Sequence, residues 1–290
     1  MPDHHGASRR EFLKTGLAAG ATIASGMTGC GGPGGPYGGY ELGFAVWGFR
    51  YFTGPEIVAM AKQLGGECLD LGPSIAEFGR DGKRIKGVTP YDKNPDSWRQ
   101  VQAALREHGV RCDTYGQDIS EDMEANRALF KWVKQQGIEC LRVAPPPELL
   151  AVIEPLVEEF EIMVAVHNHG PTDKHYKTID DMAAALKNRH PLIGACVDVG
   201  HFWRAGEDPV KALEVLGDRV LRVHFKDQEG IKEQAVVGEG KLDIPGIIKM
   251  LKKINFAGPL HLEYEDHPDN PMPYIEQCLA NMRRMFAEIG

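Results

Sequence analysis

From Tyr40 onward the chain alternates short apolar runs that end in polar residues with longer stretches whose apolar positions recur three and four apart. The runs "ELGFAVWG", "ECLDLG", "VRCDTYG", "ECLRVAP", "IMVAVHNHG", "IGACVDVGH", "VLRVHFKD" and "PLHLEYE" predict strands. Between them, "PEIVAMAKQLG", "SWRQVQAALREHG", "NRALFKWVKQQG" and "DPVKALEVLGD" predict helices, and Gly65, Gly109 and Gly137 stand where helices would stop. Eight βα units in about 250 residues match a single-domain α/β fold, the (β/α)8 TIM barrel, over residues 40–290. A doubly wound open sheet is the alternative, but no GxGxxG follows the first strand. The longest connections follow the second and seventh strands, "GPSIAEFGRDGKRIKGVTPYDKNPDS" and "QEGIKEQAVVGEGKLDIP". In a barrel both belong to the C-terminal face, where active sites sit.

Side chains alternate across a strand, so parity predicts which residues point to the barrel axis. An outer ring of helices requires the apolar face outward. That assigns Leu221, Val223 and Phe225 to the helices and Arg222, His224 and Lys226 to the interior. Likewise His261, Glu263 and Glu265 face inward, as do Cys196 and Asp198, and His167 with His169. Asn168 is expected to turn away toward helices or loop.

Four neighbouring strands therefore each deliver one potential ligand to a single rim: His167 or His169, Asp198, His224 and Glu263. Any one of them alone reads as a hydrogen-bonded strand end. Together, two imidazoles and two carboxylates at matched depth predict a divalent-metal site. Without a cation, two buried carboxylates would repel and raise each other's pKa. His167, deeper in its strand, is level with the other three, and His169 sits a rung higher, placed for substrate. His201, three residues after Asp198, is either a substrate contact or a helix-entry residue. Lys226 suits an oxyanionic substrate group, or pairs with Asp227 or Glu265.

Composition narrows the partners. The 290 residues are 42% hydrophobic and 26% charged, with a net charge of -8. That acidic balance argues against nucleic acid, which needs a basic face. Five cysteines after Cys30 show no CxxC spacing, and buried, reduced thiols are expected.

Residues 1–30 stand apart. "SRREFLK" carries Arg9 and Arg10 ahead of a Gly/Ala-rich, weakly apolar stretch that ends in "MTGC" at Cys30. This resembles a twin-arginine export signal with a degenerate lipobox. It implies an exported bacterial protein, periplasmic or membrane-anchored through a lipidated Cys30, with residues 31–39 as a Gly/Pro-rich tether. Ordinary signal-peptidase cleavage near the same place is the alternative.

"HNHG", "CVDVGHFWRAGEDP", "RVHFKD", "GEGKLDIP" and "HLEYE", in this order, resemble the xylose-isomerase-like TIM-barrel family of sugar phosphate isomerases and epimerases. The resemblance implies a divalent cation, often manganese, held by His167, Asp198, His224 and Glu263; zinc, iron or cobalt suit the same donors. It implies a small-molecule sugar substrate and an enediolate route of isomerisation or epimerisation, with Glu263 as base and His201 and Lys226 holding or protonating substrate oxygens. His169, Trp47 and Trp203 would line the sugar, although the tryptophans serve equally well as packing. One departure is visible: the family's ketose epimerases carry Glu where His167 stands. That leaves a dehydratase or lyase acting on an oxidised sugar as the runner-up, alongside a non-catalytic sugar-binding barrel. An endonuclease-IV-like repair enzyme, which shares the fold, is opposed by the acidic charge. Oligomeric state is open.

Overall fold

The computed structural model describes residues 35–72, 83 and 90–290. The segment read as an export signal, Cys30 and most of the connection after the second strand lie outside the described residues.

All eight expected strands form: β1 (Leu42–Ala45), β2 (Cys68–Leu71), β3 (Arg111–Gly116), β4 (Cys140–Val143), β5 (Met163–His167), β6 (Ile193–Asp198), β7 (Val220–Phe225) and β8 (Leu260–Leu262). They close into a parallel barrel in the order β1-β8-β7-β6-β5-β4-β3-β2. The helices are α1 (Gly54–Gln63), α2 (Pro95–His108), α3 (Met123–Gln136), α4 (Glu148–Phe160), α5 (Ile179–Leu186), α6 (Val199–Arg204), α7 (Pro209–Leu216), α8 (Ile244–Lys253) and α9 (Met272–Ile289). One helix follows each strand except β6, which is followed by the short α6 and then α7. This is a TIM barrel.

Local chemistry sets the helix ends. Side chains of Asn94, Asp122, Thr178, Asp208 and Asp243 each accept a backbone N–H of the first turn of α2, α3, α5, α7 and α8. At the other end of α2 and α3, Gly109 and Gly137 adopt φ of 64° and 71°, the left-handed conformation expected where those helices stop.

The outward strand faces supply the main apolar core: Val164, Val166, Val197, Val223, Phe225, Leu260 and Leu262 pack with the helices. Parity holds along most of the barrel and fails at two bulges. On β3 the pairing with β2 jumps from Cys112 to Thr114, so Asp113 is an extra residue, and both Asp113 and Thr114 bond the interior Arg222. On β7 the pairing with β6 jumps from Val220 to Arg222. Leu221, expected among the helices, instead joins Cys140, Ala165 and Cys196 in a small separate apolar cluster.

Two strands are shorter than expected. β1 ends at Ala45, and Val46–Phe49 wind into a 3-10 turn that leaves Trp47 44% exposed. β8 ends at Leu262, but the ladder continues one step through the Glu263 N–H to the Phe225 carbonyl at 3.0 Å. The five described cysteines are all buried free thiols, as expected. Among the described residues no helix is long and apolar enough to cross a membrane.

Candidate active site

The C-terminal ends of β5, β6, β7 and β8 bring the four expected donors together. His167 Nε2 lies 3.2 Å from His224 Nδ1 and 3.5 Å from Asp198 Oδ2. His224 Nδ1 is 3.7 Å from Asp198 Oδ2 and 3.3 Å from Glu263 Oε2. Donors around a first-row divalent cation, each about 2.1 Å from it, lie roughly 3.0–3.5 Å apart. The observed spacing therefore fits such an ion with little movement. Asp198, His224 and Glu263 form one compact group of potential ligands, and His167, Cys196 and His224 another.

Backbone geometry fixes each donor. Asp198 is the last residue of β6 and the N-cap of α6, where its Oδ1 accepts the His201 N–H at 2.8 Å. Its other oxygen, Oδ2, is buried, turned toward the two imidazoles and without a hydrogen-bond donor. It has an ion contact with Lys226 Nζ at 2.9 Å that lacks hydrogen-bond alignment. Asn168 does not turn away as parity suggested. It is buried and clamps the ends of β5 and β6, accepting the Asp198 N–H at 2.9 Å and donating to the Asp198 carbonyl at 3.1 Å.

Lys226 is fully buried among three carboxylates. It donates to Glu263 Oε2, reaches Glu265 Oε1 at 2.6 Å and contacts Asp198. Of the two pairings open from the sequence, Glu265 is made. Asp227 instead accepts the backbone N–H groups of Gln228, Gly238, Gly240 and Leu242, tying down the loop after β7. Three carboxylates against one ammonium leave an excess of negative charge, which the neighbouring His224 or a bound cation would offset.

The mutual repulsion expected of two buried carboxylates is outweighed here by the cationic groups beside them. Burial raises the carboxyl pKa of Glu263, but Lys226 and His224 overcome it and hold the group well below the usual carboxylate range. Asp198 is lowered in the same way, by His201, Lys226 and the imidazoles against burial. Burial, aided by the neighbouring His169, keeps His167 neutral, the form that ligates metal. Burial opposes a charge on His224, yet the acidic groups around it (Cys196, Glu263, Asp198 and Asp70) hold its pKa well above the ordinary value.

Of the remaining expected residues, His201 and His169 stand beside this centre. His201 Nε2 lies 3.8 Å from Asp198 Oδ2 with its side chain 13% exposed, and burial lowers its pKa. His169 is half exposed, edge-on to His167 with ring centroids 4.5 Å apart, and 3.7 Å from Asp173. Trp47 stands exposed just past β1, with the Arg50 guanidinium 5.6 Å from its ring. Trp203, on α6, is partly buried against the apolar core, so packing accounts for it.

Sequence reasoning missed Asp70 and Arg142. Asp70 Oδ2 accepts from His224 Nε2 at 2.8 Å and from Arg142 Nε at 2.7 Å. Below them, Arg222 and His261 both bond Asp113, at 3.1 and 3.0 Å. The available signal was a charge in the middle of each strand-forming run, Asp70 in "ECLDLG", Arg142 in "ECLRVAP" and Asp113 in "VRCDTYG", because a buried charge must be paired.

The model of the xylose isomerase-like TIM barrel matches residues 147–285, from α4 into α9. Over those residues, just under half of its length, the chain is similar to the xylose isomerase-like TIM barrel family. A solved structure from Parabacteroides distasonis superposes on this barrel with a TM-score of 0.63 at 27% identity, over 83% of this chain and 97% of that one. The rhizopine catabolism protein MocC of Rhizobium meliloti is 28% identical over 153 residues, 46% of each chain. An inosose dehydratase of Clostridium botulinum is 27% identical over 139 residues, 41% of this barrel's chain and 46% of that one. The chain thus spans about half the length of the curated relatives it matches.

Proposed function

We propose that this xylose isomerase-like barrel is a divalent-metal-dependent enzyme that removes a proton alpha to the carbonyl of a keto-sugar or keto-cyclitol and then expels the neighbouring hydroxyl as water. The observation that carries the reading is the convergence of His167 Nε2, Asp198 Oδ2, His224 Nδ1 and Glu263 Oε2 within 3.2–3.7 Å neighbour distances. A cation there, manganese first among the candidates, would act as a Lewis acid toward the substrate carbonyl.

The chain's own groups account for the rest. Glu263, held ionised by Lys226, accepts the C–H proton, and the C–H electron pair passes into an enediolate. The same carboxyl returns that proton to the departing β-hydroxyl as the C–O bond breaks, so one water is lost and no other acid is consumed. His201 and His169, at the mouth, hydrogen-bond substrate hydroxyls. Lys226 keeps Glu263 charged and aimed.

Dehydration is favoured over epimerisation because His167 stands where a second carboxylate would be needed, and Asp198 is fully buried with Oδ1 committed to α6. The relative named inosose dehydratase supports the same choice. Isomerisation or epimerisation is the second reading, and Glu265 favours it. That carboxylate shares Lys226 with Glu263 and its side chain is 27% exposed, offering a second proton acceptor.

Manganese-loaded protein incubated with an inosose and with keto-hexoses in D2O separates the cases. Loss of one water supports the dehydratase, and solvent deuterium gained without loss of water supports the isomerase or epimerase. Neither change across the panel leaves a sugar-binding barrel. Export through residues 1–30, with a lipid on Cys30, belongs to the same proposal and is tested by cell fractionation with labelled palmitate.

A further inference from the structure

The His224 ring is held from behind by the opposite wall of the barrel. Asp70 comes from β2 and His224 from β7, with β1 and β8 between them. Asp70 is fully buried, and its Oδ2 accepts from both His224 Nε2 at 2.8 Å and Arg142 Nε at 2.7 Å. Because Nε2 carries the donated proton, Nδ1 is the nitrogen turned toward His167, Asp198 and Glu263. Arg142 can lie in this place because β3 supplies Gly116, where a Cβ would stand 2.4 Å from Arg142 Nη2.

We propose that Asp70 is the positioning residue that fixes His224 as an Nδ1 ligand, and that Arg142, bonded to the same oxygen, moderates how strongly it does so. The inference rests on the cation reading above. A carboxylate behind an imidazole fixes its ring and tautomer and raises its basicity as a ligand. A guanidinium on that same oxygen draws charge from it. The two substitutions therefore act in opposite directions. Asp70→Ala frees the ring and weakens cation binding, whereas Arg142→Gln leaves Asp70 wholly to His224 and tightens it.

The test is manganese(II) affinity of the full chain, followed by electron paramagnetic resonance, with the His224 ring protons followed by NMR in metal-free protein. Asp70→Ala is expected to lose about 10–100-fold in affinity. Arg142→Gln is expected to bind more tightly than wild type, and Asp70→Asn, which keeps an acceptor oxygen, to fall between wild type and Asp70→Ala. A slowly exchanging Nε2–H on His224 is expected in wild type and Arg142→Gln and absent from Asp70→Ala. Equal weakening in the Asp70→Ala and Arg142→Gln variants would mark a purely structural pair and overturn the proposal. So would a rapidly exchanging Nε2–H in wild type, a result that needs no variant to fold. If wild type binds neither manganese nor zinc, the cation reading fails, while the ring-proton measurement still decides the positioning role.

Discussion

His224 Nδ1 lies 3.2 Å from His167 Nε2, although the two rings come from strands separated by β6. Two imidazole nitrogens this close need a proton or a cation between them. With His167 held neutral and His224 pushed toward its charged form, the proton belongs to His224, and a cation would displace it.

Cation binding should therefore stabilise the fold. At a hundredfold excess over its dissociation constant a ligand contributes about 2.7 kcal/mol. For a domain of this size that raises the thermal midpoint by roughly 5–10 °C. Calorimetry with and without manganese measures the shift, and His224→Ala should abolish both it and the bound metal on elemental analysis. Full metal retention in His224→Ala would falsify the ligand assignment.

Glu263→Gln keeps the shape of the side chain and removes the base. Turnover should fall by about 10²–10⁴, and exchange of the substrate α-proton with solvent should fall with it. Undiminished exchange would move the base elsewhere, with Glu265 the first replacement to examine.

Lys226 is fully buried, with partners at Asp198, Glu263 and Glu265. Lys226→Met leaves those carboxylates uncompensated, and breaking a buried pair in this way costs about 3–5 kcal/mol. In metal-free protein the loss should appear in full by urea unfolding. Bound cation should recover part of it, so an equal loss with and without metal contradicts the charge balance drawn here.

Asp113 gives a pH signature away from the candidate ligands. Burial raises its pKa, but His261, Arg222 and Thr114 bring the carboxyl down to about 2 from the ordinary 3.8. The folded chain thus binds fewer protons than the unfolded one between those values. The stabilisation is complete above the unfolded pKa and is lost as pH falls through the folded one. The stability gap between wild type and Asp113→Asn should be widest at pH 5–7 and close toward pH 2. A gap independent of pH would show that the carboxylate charge contributes nothing.

Much of this site could be read before the structure was known. His167, Asp198, His224 and Glu263 lie near the C-terminal ends of their strands, His224 beyond the bulge in β7, where a period of two is reliable and depth follows from strand ends. Asp113 and Leu221 could not be placed that way, because each is the extra residue of a bulge, and a bulge leaves no mark in a single apolar run. Asp70 and Arg142 were hidden for another reason. Their partners lie on strands that only barrel closure brings within reach, so no local window contains the pair. Lys226 was placed on the correct face, but the number of carboxylates around it depends on how β6, β7 and β8 stagger.

Beneath the four candidate ligands, Arg222 reaches from β7 to Asp113 and toward Glu139, 3.6 Å away, while His261 bonds Asp113 from β8. Among the described residues, this layer of paired charges fills the barrel interior below the candidate site. On the proposed function, a product would then leave by the mouth through which its substrate entered. On the same reading, a group attached to the reacting ring would trail outward past the half-exposed His169, which suits a small free molecule or the end of a longer one.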